Sequence, residues 1–234
     1  MNVLRCFGVL AVYIVVALSV LFIIRRLVKI PDFVFRKMLH IVAVCGVCLM
    51  IFQADNWQAA ALTSGLLAII LYPVLSVLEE KPWFDKLLSQ KSQGEIKKSM
   101  LLLFIMFTAV TAVAWGVLNR PQSAIASIAM WGIGDAAAAM IGIPFGKHKV
   151  HCKLTDGKKS WEGSFAMLIA SFLAGSFVLL LLGDIGVAKA LLIATAGAIV
   201  GSLAELFSPS EYDTITVPVT ILFVFLVLET ALTI

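Results

Sequence analysis

The sequence predicts an all-α fold: a polytopic membrane helix bundle of about eight transmembrane helices, with both termini on the non-cytoplasmic side. Three observations carry this. Of 234 residues 61% are hydrophobic and 14% charged, and the mean hydropathy is +1.03. Eight apolar runs are near the length that crosses a hydrocarbon core of roughly 30 Å. Lysine and arginine fall in alternate loops, as they do when cationic loops stay on the cytoplasmic side. Helices are the expected form, since a spanning segment must satisfy its own backbone hydrogen bonds.

The runs lie at about 7–24, 38–54, 57–78, 100–118, 123–143, 164–182, 188–206 and 215–233. The first is followed directly by Arg25 and Arg26 and has no small-residue cleavage site, so it reads as a retained helix rather than a secretory signal. The second is short. The third carries Pro73, which removes a backbone donor. Before the fourth, Trp83, Phe84, Leu87 and Leu88 share one helical face and Lys81, Asp85 and Lys86 the other, which predicts a short interfacial helix ending near Gly94. The fifth contains Ala136 to Ala139, and the seventh has Gly197 and Gly201 four residues apart. Such small residues allow close helix packing.

Arg25, Arg26, Lys29, Arg36 and Lys37 lie in the first loop, Lys81, Lys86, Lys91, Lys97 and Lys98 in the third, and Lys147, Lys149, Lys153, Lys158 and Lys159 in the fifth. Arg5, Arg120 and Lys189 are left for the other side. The chain therefore reads as a single integral membrane domain, 1–234, with cytoplasmic loops near 25–37, 79–99, 144–163 and 207–214. The net charge of +4 records this bias and attraction to anionic headgroups; nucleic acid binding is not indicated. Cys6, Cys45, Cys48 and Cys152 sit in helices or a cytoplasmic loop, where thiols stay reduced. Cys45 and Cys48 have zinc-like spacing but no second pair.

Polar residues in oil carry the functional signal, because a charge in hydrocarbon costs at least ~2.5 kcal/mol and usually faces a polar cavity. Asp135 lies eight residues before Ile143, ~12 Å up a helix at 1.5 Å per residue, too deep to reach the headgroups. Lys37 and His40, three apart, share a helical face and can reach one ligand together, or serve as an interfacial lysine and a helix-start histidine. Glu205 ends the seventh helix on the same side, and Asp213 follows with Glu211 near it; Glu229, near the outer end of the last helix, reads as interfacial. Carboxylates beside lysines at a membrane surface suit a magnesium ion and a polyphosphate, and hence phosphoryl or nucleotidyl transfer onto a lipid. No Walker-type loop is present, since Gly157-Lys158-Lys159-Ser160 lacks the upstream glycine spacing.

Four separated segments resemble the membrane-bound family of phytol, dolichol and CTP-dependent diacylglycerol kinases, related to the phosphatidate cytidylyltransferases. These are RKMLH at 36–40, GEIKKS at 94–99, GDAAAAMIGIPFGKHK at 134–149 with KKSWEGSFAM at 158–167, and AELFSPSEYDTITVP at 204–218. The last departs from the commoner Asp-Asn-Leu-Thr-Val-Pro form, with Thr214 in place of asparagine.

The resemblance implies transfer of the γ-phosphoryl group of CTP to the hydroxyl of a membrane lipid alcohol, aided by a divalent ion such as magnesium. The acceptor would be a polyprenol, dolichol, phytol-type alcohol or diacylglycerol. On that basis Asp135 binds magnesium or polarises the hydroxyl, Lys37 and His40 join it as catalytic candidates, and Glu205 and Asp213 are further metal or nucleotide contacts. Lys147, Lys158 and Lys159 neutralise phosphate charge, Ser160 and the amides near Gly163 donate hydrogen bonds, and Gly134, Gly142 and Gly146 let backbone approach the nucleotide. Glu162 holds a lysine or the ion. Two other classes stay open: a cytidylyltransferase that makes a CDP-activated lipid, and an ion-coupled transporter, against which stand the absence of an inverted repeat and the concentration of charge on one face.

Overall fold

The computed structural model describes residues 3–81, 84, 94–151, 157–209 and 212–232. Among them are eight helices: α1 (Val3–Leu27), α2 (Asp32–Gln53), α3 (Trp57–Leu78), α4 (Glu95–Thr111, extended by a π-helical turn, Ala112–Val117), α5 (Pro121–Phe145), α6 (Trp161–Leu182), α7 (Val187–Phe207) and α8 (Asp213–Ala231). No strand occurs among the described residues. All eight are long and apolar enough to cross a membrane, and the chain is an integral membrane protein. The interfacial helix expected over 83–94 lies outside the described residues apart from Phe84 and Gly94, as do Cys152, Lys153 and Glu211.

Most helices outrun the apolar runs that announced them. The clearest case is α2, which starts at Asp32 rather than near residue 38, behind Pro31 at its N-cap. The acidic residue in the first turn suits the positive end of the helix, and Phe35 is fully buried, so the charged turn is anchored. As a result Lys37 and His40 belong to the helix body, and the loop expected over 25–37 shrinks to a few residues. Pro73 sits inside α3 without ending it.

The chain divides into two compact units, Met1–Ala112 and Val113–Ile234. In the first, α1 packs on α2 and α3, and α3 on α4. Gly46 of α2 faces Tyr13 and Leu10 of α1 at 3.0 Å from where a side chain would begin, and the Tyr13 hydroxyl donates to the Val42 carbonyl at 3.0 Å. Arg25 bridges to Asp32 at 3.0 Å and stacks over Phe35, 3.9 Å from the ring centre. At the start of α4 the buried carboxylate of Glu79 accepts the Lys97 amide at 2.9 Å, satisfying one of the donors a helix N-terminus leaves open.

In the second unit α5 is the most deeply buried of the eight helices. It runs beside α6 with small residues in the seam: Gly134 abuts Ser171 and Met167, and Gly175 abuts Met130. The Ser171 hydroxyl donates to the Met130 carbonyl at 2.8 Å, tying the two helices at mid-length. Gly197 and Gly201 of α7 admit Phe225 and Ile221 of α8, and Ala136 and Ala138 are buried, so these residues serve the close packing expected of them. Glu229, near the end of α8, is buried against protein: Ser123, in the first turn of α5, donates to it at 2.5 Å. The position favours a carboxylate because it adjoins the positive end of α5.

Candidate functional site

The site is built where α5 ends, α6 begins, and α7 gives way to α8. Helix α5 carries Asp135, half-buried, ten residues before its last residue Phe145, which is about 15 Å along the axis. Past Gly146 the chain leaves the helix and forms a clip. Lys149 and Ser160 pair as an antiparallel bridge, the Val150 amide donates to the Lys159 carbonyl at 3.0 Å, and the Trp161 amide donates to the His148 carbonyl at 3.1 Å. The Lys149 ammonium adds a bond to the Lys158 carbonyl at 3.1 Å. These contacts fold residues 146–151 back onto 158–161 and bring Lys147, Lys149 and Lys158 to an exposed surface.

Ser160 closes the clip and opens α6. It is the N-cap, with an extended backbone, and its hydroxyl oxygen accepts the Gly163 amide at 3.3 Å. Its surroundings explain three glycines. A side chain at Gly142 would begin 3.2 Å from Ser160 Oγ, one at Gly163 would meet the Ala138 carbonyl at 3.0 Å, and one at Gly146 would collide with Ser160 Oγ and the Gly142 carbonyl. The neighbours of Gly134, Gly142, Gly146 and Gly163 are protein atoms; the bareness of the last three lets the end of α5 touch the start of α6, and Gly134 serves the seam at mid-length. Glu162 holds His148: its carboxylate lies 2.7 Å from the ring Nδ1 and accepts the His148 amide at 3.2 Å. A lysine or an ion was the sequence expectation for Glu162.

Lys159 turns inward, with a side chain only 8% exposed. Its ammonium lies 3.0 Å from Glu205 Oε1 and 3.6 Å from Asp213 Oδ2, and it also donates to the main-chain carbonyl of Glu205. That carbonyl, in the last turn of α7, also accepts the Ser208 amide at 3.3 Å, so the lysine adds a second donor at the C-terminal end of α7 while pairing its carboxylate. Asp213 is the first residue of α8, where the helix dipole favours a negative charge. Ser164, one turn into α6, donates to Glu205 Oε2 at 3.5 Å. Across the α7–α8 turn, Ser208 and Thr216 share a hydrogen bond of 2.7 Å.

Lys159, Glu205 and Asp213, far apart in sequence, thus meet at one buried point, while Lys147 and Lys158 stay exposed at the clip. Lys37 and His40 lie half-buried on α2 of the first unit. Sequence reasoning missed Ser164 and Glu79. Ser164 carries no motif of its own; its signal is its place four residues after Ser160, which caps α6. Glu79, at the end of α3, has no neighbour in sequence that points to the Lys97 amide it accepts.

The donor set passes a chemical test for a divalent cation. Two carboxylates and a carbonyl contact a cation, the lysine ammonium, and the Ser164 hydroxyl lies against the other oxygen of Glu205; all are hard oxygen. Among the described residues no group of three or more His, Cys, Asp or Glu forms a protein-only cage. That is compatible with magnesium, which commonly takes one or two carboxylates and completes its shell with phosphate oxygens and water.

The profile of the cytidylyltransferase family matches residues 1–210 of the chain. A phytol kinase of Synechocystis sp. is 27% identical over 219 residues, which cover 90% of this chain and 86% of that protein. No solved structure matches the chain.

Proposed function

The chain belongs to the cytidylyltransferase family, and we propose that it is a membrane lipid kinase, transferring the γ-phosphoryl group of CTP to the hydroxyl of an isoprenoid-type lipid alcohol. The observation that carries this reading is the meeting of Lys159, Glu205 and Asp213 beside a clip that exposes Lys147 and Lys158. Buried carboxylates suit a metal ion, and exposed lysines on a folded clip suit a polyphosphate. The phytol kinase similarity over most of both chains supports phosphoryl transfer and an alcohol acceptor.

In this proposal Glu205 and Asp213 would hold magnesium, which would supply charge neutralisation to the phosphates. Lys147 and Lys158 grip the outer phosphates from the cytoplasmic surface on which the basic loops fall. Asp135, deeper along α5, orients the lipid hydroxyl and accepts its proton as the oxygen attacks phosphorus. Positioning and electrostatics do most of such catalysis, since the phosphoryl group needs little covalent help.

A second reading has its own support, because the family's description favours cytidylyl transfer to a phosphorylated lipid, with release of pyrophosphate. Incubation of the purified protein with magnesium, labelled CTP, a panel of lipid alcohols and phosphatidic acid separates the two. A radiolabelled monophosphorylated lipid supports the kinase; a CDP-lipid supports the alternative.

A further inference from the structure

The ammonium of Lys159 occupies the place of a cation. Oε1 of Glu205 at 3.0 Å, Oδ2 of Asp213 at 3.6 Å and the Glu205 carbonyl close on it, and the three side chains are 8%, 9% and 17% exposed. Buried carboxylates need a positive partner, and here the chain supplies its own.

The donors and the cation are mounted differently. Glu205 lies in the last turn of α7 and Asp213 begins α8, so both carboxylates are fixed by helix ends. Lys159 is carried by the clip, outside any helix, one residue before the cap of α6. Its main chain is pinned by the Val150 amide, but its ammonium rides on a flexible four-carbon stem and can leave without moving α6. Ammonium and magnesium are both served by oxygen ligands.

We infer that Lys159 is a tethered placeholder: the lysine and a free divalent cation are alternative occupants of the seat between Glu205 and Asp213, and arrival of the ion releases the lysine. The inference rests on reading this site as a metal- and nucleotide-using centre. It assigns Lys159 a positioning role, keeping the two carboxylates charged and in place until the ion arrives. The released ammonium then lies beside Lys158 on the clip, available to the incoming phosphates. A purely structural clasp would also lose stability when Lys159 is replaced, but no ion would restore it.

The test uses thermal unfolding of the full chain in detergent without nucleotide, in chelator and in millimolar magnesium or manganese. Lys159→Met should melt below the parent in chelator and regain about 5 °C with the ion, a gain lost in Lys159→Met/Asp213→Asn. A melting temperature of Lys159→Met that ignores the ion overturns the inference. Should Lys159→Met fail to fold, the unaltered protein supplies a second readout, the labelling of Lys159 by an amine-reactive reagent followed by mass spectrometry. Labelling should rise several-fold on adding magnesium; unchanged labelling overturns the exchange. Neither readout involves CTP or lipid, so failure of the kinase reading and failure of the exchange are distinguishable.

Discussion

Lys159 and Glu205 meet twice: the ammonium bonds the carboxylate at 3.0 Å and the main-chain carbonyl of the same residue. The clip between α5 and α6 is thereby joined to the end of α7, and through Asp213 to the start of α8. Removing one member of a buried pair leaves the other charge uncompensated, at about 3–5 kcal/mol. Glu205→Gln keeps an amide oxygen and should cost about 3 kcal/mol, read as a lowered midpoint of thermal unfolding in detergent. Asp213→Asn, at 3.6 Å and 17% exposure, should cost no more than about 1 kcal/mol.

Gly163→Ala tests the seam between α5 and α6. The new side chain would begin 3.0 Å from the Ala138 carbonyl and 3.3 Å from Gly142 Cα, both backbone atoms that cannot swing aside. The expected loss is about 1–3 kcal/mol. Gly65→Ala in α3 meets nothing within 4 Å and should be neutral or stabilising by up to about 1 kcal/mol. Thermal unfolding of the two variants side by side checks the contrast.

Much of this was legible in the sequence, for identifiable reasons. Hydropathy marked all eight helices, because length and apolarity are what a bilayer demands. It misplaced the start of α2, because a scan for apolar runs discounts Arg36 and Lys37 even when Phe35 beside them is fully buried. The residue types of the site were legible too, but their partners were not. Lys159 reached Glu205 only because Lys149 and Ser160 pair to fold the clip, and nothing local announces that bridge. The same holds for Glu229, which read as interfacial and meets Ser123 106 residues away.

Asp135→Asn removes the proposed acceptor of the hydroxyl proton while keeping size and shape. Lipid phosphorylation should fall by about 10²-fold or more, with the variant still folded in detergent. Turnover near the parent rate would remove Asp135 from the chemistry.

Lys147→Gln and Lys158→Gln remove exposed charges from the clip and should leave stability within about 0.5 kcal/mol of the parent. They should raise KM for the nucleotide several-fold and leave KM for the lipid unchanged. The parent enzyme's KM for nucleotide should also rise with salt, since these contacts are solvent-screened. Steady-state kinetics with each substrate varied in turn checks both statements.

The central claim is phosphoryl transfer to a lipid hydroxyl, and parallel incubations with α-labelled and γ-labelled CTP, magnesium and a lipid alcohol test it most directly. The account predicts label in the lipid from the γ position alone, with CDP released. Label reaching the lipid from the α position, or no labelled lipid with any alcohol offered, would contradict it.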